Sequence, residues 1–313
     1  MDSIRLPRIH NSTNGRLFTL RRCALALAAK LAPETAEDAI IKAFFSPKPR
    51  IPAPLPSVPG IPQRRFEIRD RVDPMVAWEW GFESSTRPTV LLVHGWNGDA
   101  AQMARLVPPL VERGFHVVAI DLPGHGASPL TGGRLTLTDM ADAVLEVARL
   151  LAPIHALVAH SLGAGAAILA IENGLKVDRV VLLAPPAEPT YYARGFARLL
   201  GLPESRMVSY IARMEAQTGK QMADLDLVRF ASGLDIPVML FHDPWDAEVP
   251  FAHGYAIAQA WKGSKIISTW KLGHHRILRD ETVKAQIAEF LTPPVDAKGA
   301  QAGAYTAVQK ASR

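Results

Sequence analysis

The sequence predicts an α/β fold with a mostly parallel, eight-stranded sheet and helices on both of its faces. Short, continuously apolar segments alternate along the chain with longer segments of helical periodicity, which is typical of a parallel sheet covered on both sides. The chain has 313 residues, of which 48% are hydrophobic, enough for one large core. One of the apolar segments ends at Ser161, in a sequence typical of a tight strand–turn–helix connection.

Residues 1–46 are predicted to form an N-terminal helical arm. A first amphipathic helix is indicated by apolar residues at three- and four-residue steps: Leu17, Leu20, Ala24, Leu27 and Leu31. A second helix is expected from Pro33 to Phe45, because proline suits a first turn and Glu34 complements the positive end of the helix. Two arginines before a short apolar run also resemble a signal peptide, but Lys30 interrupts that run, and a helix is favoured.

Residues 47–63 are predicted to form an extended strap between the arm and the rest of the chain. Seven prolines lie between Pro47 and Pro62, and proline lacks the backbone donor that helices and sheets require. A docking motif for a partner is a second interpretation of this segment, but a semi-rigid connection is favoured.

Residues 64–292 are predicted to form the main domain, opening with an antiparallel strand pair at Arg64–Arg71 and Met75–Gly81. The predicted strands that follow are Val90–Val93, His116–Ile120, Ile154–His160, Arg179–Leu183, Ile236–Phe241 and Lys265–Trp270. The predicted helices between and after them are Ala100–Arg113, Leu137–Leu151, a helix ending at Asn173, Phe251–Trp261 and Ile277–Leu291. Residues 185–234 contain no clear strand and are expected to form a helical cap, and residues 293–313 are predicted to be a disordered tail.

The composition argues against several classes of function. The net charge is +5, but much of the excess lies between Ser3 and Pro33, where six basic residues and no acidic residue occur. No basic stripe interleaved with aromatic residues follows, so no nucleic-acid partner is expected. Neither clustered metal ligands nor a phosphate loop is visible, so neither a metal nor a cofactor is predicted.

The compartment and membrane behaviour are also constrained by the sequence. A single cysteine, Cys23, excludes an internal disulfide framework and is compatible with a reducing, cytoplasmic location. No segment approaches 18 uninterrupted apolar residues, so no transmembrane helix is predicted. The basic arm is nevertheless suited to weak contact with an anionic membrane surface. The sequence gives no prediction of oligomeric state.

The segment with the clearest chemical meaning is Ala159-His160-Ser161-Leu162-Gly163, between an apolar strand and an apolar helix. Small residues two positions before and after Ser161 permit a turn so tight that the serine hydroxyl is exposed at its tip, as in a nucleophile elbow. The simpler interpretation is that Ser161 only caps the following helix.

A serine nucleophile requires a base, and the base requires an orienting acid. In a parallel sheet these partners come from loops at the same edge as the nucleophile. The loop after strand 236–241 offers Asp243 and Asp246, and the loop after strand 265–270 offers His274 and His275. The chain order serine, acid, histidine is the order expected of this topology.

The oxyanion that forms during acyl transfer needs preorganised N–H donors. The backbone N–H of Leu162, at the start of the helix after Ser161, is the first candidate. The second is the N–H of Trp96, in the turn His94-Gly95-Trp96-Asn97-Gly98 after strand 90–93, where the glycines permit close folding.

Together with Asp121-Leu122-Pro123-Gly124-His125-Gly126-Ala127-Ser128 and Asp246-Ala247-Glu248-Val249-Pro250, these motifs resemble those of the α/β-hydrolase family from about Arg64 to Leu291. The resemblance implies that Ser161 is the nucleophile, Asp246 the acid and His274 the base. It also implies that the segment from Asp121 to Ser128 is a structural turn. Ala159 stands where the family more often has glycine. The presence of Ser161 disfavours the branches with an aspartate nucleophile, which are the dehalogenases and epoxide hydrolases.

Four further residues are candidates for the wall of a substrate pocket. His94 and His160 are expected either on its floor or bonded to nearby backbone, and Tyr191 and Tyr192 either in the pocket or packed between cap and core. The resulting hypothesis is a carboxylesterase-like hydrolase of a small or medium ester. The alternatives are a thioesterase, acyltransferase, perhydrolase or carbon–carbon hydrolase with the same triad, or a non-catalytic ligand-binding protein.

Overall fold

The computed structural model describes residues 13–48, 55, 57–69, 73–84 and 86–293. Its eight strands are β1 (Gln63–Ile68), β2 (Met75–Trp80), β3 (Thr89–Val93), β4 (His116–Asp121), β5 (Ile154–His160), β6 (Val177–Leu183), β7 (Val238–His242) and β8 (Lys265–Ser268). They form one sheet in the order β1-β2-β4-β3-β5-β6-β7-β8. β2 is antiparallel to both of its neighbours, and every other pair is parallel, so the sheet is mixed but mostly parallel.

Twelve α-helices are defined within those ranges. They are α1 (Thr13–Leu31), α2 (Pro33–Phe44), α3 (Ala100–Met103), α4 (Val107–Glu112), α5 (Leu137–Leu151), α6 (Leu162–Glu172), α7 (Pro189–Leu199), α8 (Met207–Thr218), α9 (Leu227–Ser232), α10 (Phe251–Ala260), α11 (Gly273–Arg276) and α12 (Glu281–Leu291). None of the helices in the described part of the chain has the length and apolarity needed to cross a bilayer.

The sheet is covered on both faces because its central strands are apolar on both sides. All residues of β3, β5 and β7 are buried. Side chains on one face pack with α5, α6, α9 and α10, and those on the other face pack with α3, α4 and α12. The carboxyl ends of these parallel strands therefore lie at one edge of the sheet, between the two layers of helices.

Two helices differ from the sequence prediction. The helix expected at Ala100–Arg113 is interrupted by a 3₁₀ turn at Ala104–Leu106. Pro108 and Pro109 explain the break, because they lack the N–H groups that a continuous helix would donate to the preceding turn. The last helix begins at Glu281 instead of Ile277, and the Asp280 side chain caps it by accepting from the Val283 N–H.

The arm packs on the helices that follow β6. Ala36, Ile40 and Ile41 of α2 are buried in a third apolar cluster that includes residues of α7 and α8, among them Tyr210 and Met214. The leucine stripe that indicated α1 is not the face through which this helix packs, because Leu27 is 58% exposed and Leu31 is 78% exposed. Leu25, Ala28 and Ala29 contact this cluster instead.

Helices α7, α8 and α9 lie between β6 and β7 in the chain, within the segment 185–234 for which a cap is predicted. Of the predicted strap, residues 49–54 and 56 lie outside the described residues, as does the predicted tail beyond residue 293.

Candidate active site

The connection from β5 to α6 forms the tight turn that the sequence indicates. Ser161 has φ 53° and ψ −129°, a strained conformation for a residue with a side chain. Its N–H donates to the Leu183 carbonyl of the neighbouring strand at 2.9 Å, which helps to hold this backbone. Gly163 must be small, because a Cβ there would lie 2.2 Å from the His94 carbonyl oxygen.

Three predicted residues meet at this turn. The distance from Ser161 Oγ to His274 Nε2 is 2.9 Å, and the distance from His274 Nδ1 to Asp246 Oδ2 is 2.8 Å. The Asp246 side chain is fully buried, and the His274 side chain is 4% exposed. The three groups therefore form one hydrogen-bonded chain from hydroxyl to carboxylate, with the geometry of a serine, its base and an orienting acid.

The Asp246 carboxylate is held in place from two sides. Its Oδ1 accepts from the backbone N–H groups of Glu248 at 2.8 Å and Val249 at 2.9 Å, while Oδ2 faces His274. Burial opposes ionisation of this group, but the hydrogen bond and charge of His274, together with the two backbone donors, hold the pKa of Asp246 below its ordinary value. Asp246 is therefore ionised at neutral pH.

The two competing residues have other roles. Asp243 is buried and braces the loop, because its carboxylate accepts from the Trp245 N–H, the Thr269 hydroxyl and the Leu272 N–H. The exposed His275 forms an ion pair with Glu248 at 2.9 Å, which raises the pKa of the histidine. Neither residue bonds to Ser161 or completes the chain.

His160 lies beneath the base and is fully buried. Its Nε2–H donates to the backbone carbonyl of His274 at 2.9 Å, and the two rings are 4.7 Å apart. Burial lowers the pKa of His160 well below its ordinary value, so its ring is neutral. His160 lines the cavity above Ser161, as predicted for the pocket floor, and also fixes the segment that carries His274.

His94 does not line the cavity and is bonded to nearby backbone, the second of the two placements expected from the sequence. His94 is the first residue of the loop after β3 and is fully buried; its Nδ1–H donates to the Gly95 carbonyl at 2.7 Å and its Nε2 accepts from the Leu122 N–H at 3.0 Å. Burial lowers the pKa of this ring to about 3. His94 therefore acts as a neutral clamp between two loops, because both of its nitrogens are occupied by backbone groups.

The candidate oxyanion donors belong to residues of two segments next to Ser161. Leu162 is the first residue of α6, so its N–H has no acceptor within the helix. Trp96 belongs to the loop that approaches the serine closely, since a Cβ on Gly95 would lie 2.7 Å from Ser161 Cβ. Trp96 and Leu162 both line the same cavity as Ser161.

A cavity of about 1540 Å³ opens above these groups. Tyr191 and Tyr192 line it, as the pocket interpretation predicts, and burial raises the pKa of the Tyr192 hydroxyl, which keeps it protonated. Sequence reasoning missed His253 in the same wall, where its Nδ1 accepts from the Ala187 N–H at 3.1 Å. No motif marks His253, because its partner lies 66 residues away in the chain.

Residues of the arm also line this cavity, and the sequence offered no signal for that placement. Among the described residues, no group of three or more His, Cys, Asp or Glu side chains is arranged to hold a metal ion.

The chain is similar to known proteins in both sequence and fold. The model of the "Alpha/beta hydrolase family" matches residues 90–294. A serine hydrolase-like protein of Dictyostelium discoideum is 35% identical over 113 residues, which cover 35% of this chain and 31% of that protein. A pimeloyl-[acyl-carrier protein] methyl ester esterase of Methylococcus capsulatus is 44% identical over 87 residues, covering 28% of this chain and 32% of that protein. Each match thus spans about a third of the relative.

Among solved structures, an esterase of Pyrococcus furiosus aligns with a TM-score of 0.59 and 21% identity, covering 79% of this chain and 98% of that one. At this identity the likeness is one of fold.

Proposed function

The chain belongs to the α/β-hydrolase family, and from that premise we propose that it is a serine hydrolase that cleaves a carboxylic ester through an acyl-serine intermediate. The observation that carries the proposal is the hydrogen-bonded chain from Ser161 Oγ through His274 to the Asp246 carboxylate. Similarity to methyl ester esterases supports the ester as the bond that is cleaved.

In the first half of the reaction, Ser161 Oγ attacks the ester carbonyl carbon while His274 Nε2 takes the hydroxyl proton. The negative charge moves to the carbonyl oxygen, where the N–H groups of Trp96 and Leu162 stabilise it. Collapse of this intermediate breaks the bond to the alcohol oxygen, which receives the proton from His274. The acyl group remains on Ser161.

In the second half, water replaces the alcohol. The water oxygen attacks the acyl carbon while His274 takes a proton from the water. His274 then donates this proton to Ser161 Oγ as the carboxylic acid leaves, which regenerates the serine hydroxyl. The ionised Asp246 keeps the proton of the neutral imidazole on Nδ1, so that Nε2 is free to accept, and stabilises the imidazolium that forms.

Replacing Ser161 with Ala tests the assignment. We expect the wild-type protein to hydrolyse p-nitrophenyl esters and to be labelled covalently by a fluorophosphonate probe, and we expect Ser161→Ala to lose both. The matched control is Ser232→Ala, which removes an exposed hydroxyl bonded only to the Arg229 carbonyl and should change neither property. A wild-type protein that resists the probe would point to a non-catalytic binding protein, and labelling of Ser161→Ala would overturn the nucleophile assignment.

Two expectations about the environment of the protein remain predictions. A cytoplasmic location rests on the single cysteine, and weak contact with anionic membranes rests on the basic arm.

A further inference from the structure

The N-terminal arm reaches the cavity that contains Ser161. The cavity wall includes residues from the end of the arm and the start of the strap, together with one residue of α1: Leu25, Ala43, Phe44, Phe45, Ser46, Pro47 and Lys48. We propose that the arm builds a subsite for an apolar chain of the ester, on its acyl or its alcohol side, and that Phe44 determines how long a chain fits. This inference rests on the proposed function of the same site.

The chemistry of this part of the wall is apolar and aromatic. The Phe44 ring meets the Phe196 ring of α7 edge to face at 5.6 Å and the Phe45 ring at 5.1 Å. Leu199, Leu200, Met222 and Leu225 line the cavity beside them. A hydrocarbon chain gains free energy by leaving water for such a wall, whereas a polar chain would lose its hydrogen bonds there.

The arm is fixed to the cap by a buried carboxylate. Glu37 of α2 is fully buried and bonds to Arg206 at 2.7 Å and to the Ser209 hydroxyl at 3.0 Å, with Arg213 at 3.6 Å. If the arm separated from α8, the buried carboxylate of Glu37 would lose its partners unless the surrounding packing opened to water. Both outcomes cost free energy, so the contact between the arm and α8 is stabilised.

The arm is also fixed to the loops of the main domain. The Phe45 carbonyl accepts from the Leu135 N–H at 2.8 Å, and the Ser46 hydroxyl donates to the Gly133 carbonyl at 2.8 Å. The Lys48 N–H donates to Asn97 Oδ1 at 2.9 Å, beside the predicted oxyanion donor Trp96. The wall that contains Phe44 is therefore held at both ends and has a defined position relative to Ser161.

Residues 43–48 of this wall lie outside the part of the chain that the family model matches, which begins at residue 90. A subsite built from residues 43–48 would therefore distinguish this chain from family members that share only its catalytic domain. The chain-length preference of the enzyme is the property that such a wall would set.

The test compares two series of esters, p-nitrophenyl esters from acetate to dodecanoate and alkyl butyrates from methyl to octyl. In the wild-type protein we expect kcat/KM to rise about fourfold for each methylene that enters the subsite, in one of the two series. Phe44→Ala should leave the shortest ester within about twofold of wild type and lower the long-chain advantage at least tenfold. Phe44→Trp, which fills the subsite, should move the optimum to a shorter chain.

Lys42→Ala is the matched control, because Lys42 lies on the same helix with an exposed side chain and does not line the cavity. It should keep the wild-type profile. The inference is overturned if Phe44→Ala and Phe44→Trp leave the length profiles of both series unchanged, or if they lower all esters of each series by the same factor. Thermal unfolding of each variant identifies one that does not fold, and the other variant then decides.

A binding measurement separates this inference from the proposed function. Dodecanoate should bind to Ser161→Ala protein in calorimetry, and the additional substitution Phe44→Ala should weaken that binding at least tenfold. If the wild-type protein hydrolyses no ester but this difference is seen, the proposed function fails and the subsite stands. If esters are hydrolysed but neither the length profile nor binding responds to Phe44, the subsite is wrong and the proposed function stands.

Discussion

Replacing Asp246 with Asn should remove catalysis while leaving the fold in place. The reason is that the hydrogen bonds of this loop fix the orientation of the new amide group. Asp246 Oδ1 accepts two backbone N–H groups, from Glu248 and Val249. In the variant the amide oxygen must remain at this position, because the amide nitrogen cannot accept. The amide N–H₂ therefore faces His274 Nδ1 and donates to it, so the imidazole proton moves to Nε2, which faces Ser161.

A proton on His274 Nε2 prevents that nitrogen from accepting the serine proton. Loss of the correct tautomer in a serine–histidine–aspartate triad lowers kcat by roughly 10⁴. This factor corresponds to about 5.4 kcal/mol of transition-state stabilisation, at about 1.36 kcal/mol for each tenfold change. The assay is steady-state hydrolysis of a p-nitrophenyl ester, and we expect KM to change little because the Asp246 side chain is fully buried and bonded to His274.

Asp243→Asn is the matched control for this prediction. Its carboxylate bonds only to groups of its own loop and of the loop after β8, so we expect a loss of stability of about 1–3 kcal/mol without a 10⁴-fold loss of kcat. The reasoning is refuted if Asp246→Asn keeps kcat within tenfold of wild type, or if Asp243→Asn is the more severe of the two in kcat while both variants remain folded.

Three further predictions concern the elbow and its surroundings. Gly163→Ala should destabilise the protein by more than 2 kcal/mol, because its Cβ would lie 2.2 Å from a backbone oxygen, whereas Gly195→Ala has no heavy atom within 4 Å and should be neutral or stabilising. Ser161→Gly should unfold about 2 °C higher than Ser161→Ala, because glycine relieves the strain at φ 53°. Burial raises the pKa of Asp121 to about 6 from 3.8, so the folded protein holds this proton more tightly than the unfolded chain does. The resulting stabilisation is complete below pH 3.8 and is lost as the pH rises through 6. Relative to Asp121→Asn, the wild-type protein should therefore lose about 3 kcal/mol over this range.

Each of these predictions has a result that contradicts it in denaturant or thermal unfolding. The glycine prediction is contradicted if the Gly163→Ala and Gly195→Ala variants are equally stable. For the elbow the contradicting result is a Ser161→Ala protein that unfolds at or above the temperature of Ser161→Gly. For Asp121 it is a stability difference from the Asn variant that is flat, or that grows, between pH 4 and pH 7.

The mostly parallel sheet and the tight turn at Ser161 could be predicted because both depend on local patterns. The buried run of β5 and the small residues around Ser161 are visible in any stretch of a dozen residues. Two helix boundaries differ from the prediction although their signals are also local: Pro108 and Pro109 break the helix predicted at 100–113, and the Asp280 cap starts the last helix later than expected.

The choice between neighbouring candidates could not be made from periodicity or spacing alone. Asp243 and Asp246 follow the same strand; the family resemblance favours Asp246, and contacts with distant residues separate the loop brace from the partner of His274. Periodicity also did not identify the face through which α1 packs. Its leucine stripe satisfies helical periodicity, yet the helix packs through Leu25 and Ala29, because the apolar cluster that contains the buried face of α2 lies on that side.

The buried Glu37 also has a consequence for the order in which the molecule is assembled. Its partner Arg206 lies 169 residues later in the chain. At about 5–20 residues per second, a ribosome needs roughly 10–30 s to make that distance. Throughout this interval α2 has been synthesised but has no cap helix to receive its apolar face or its carboxylate. The arm is therefore synthesised well before the cap helices on which it packs, and the apolar face of α2 stays uncovered until they follow.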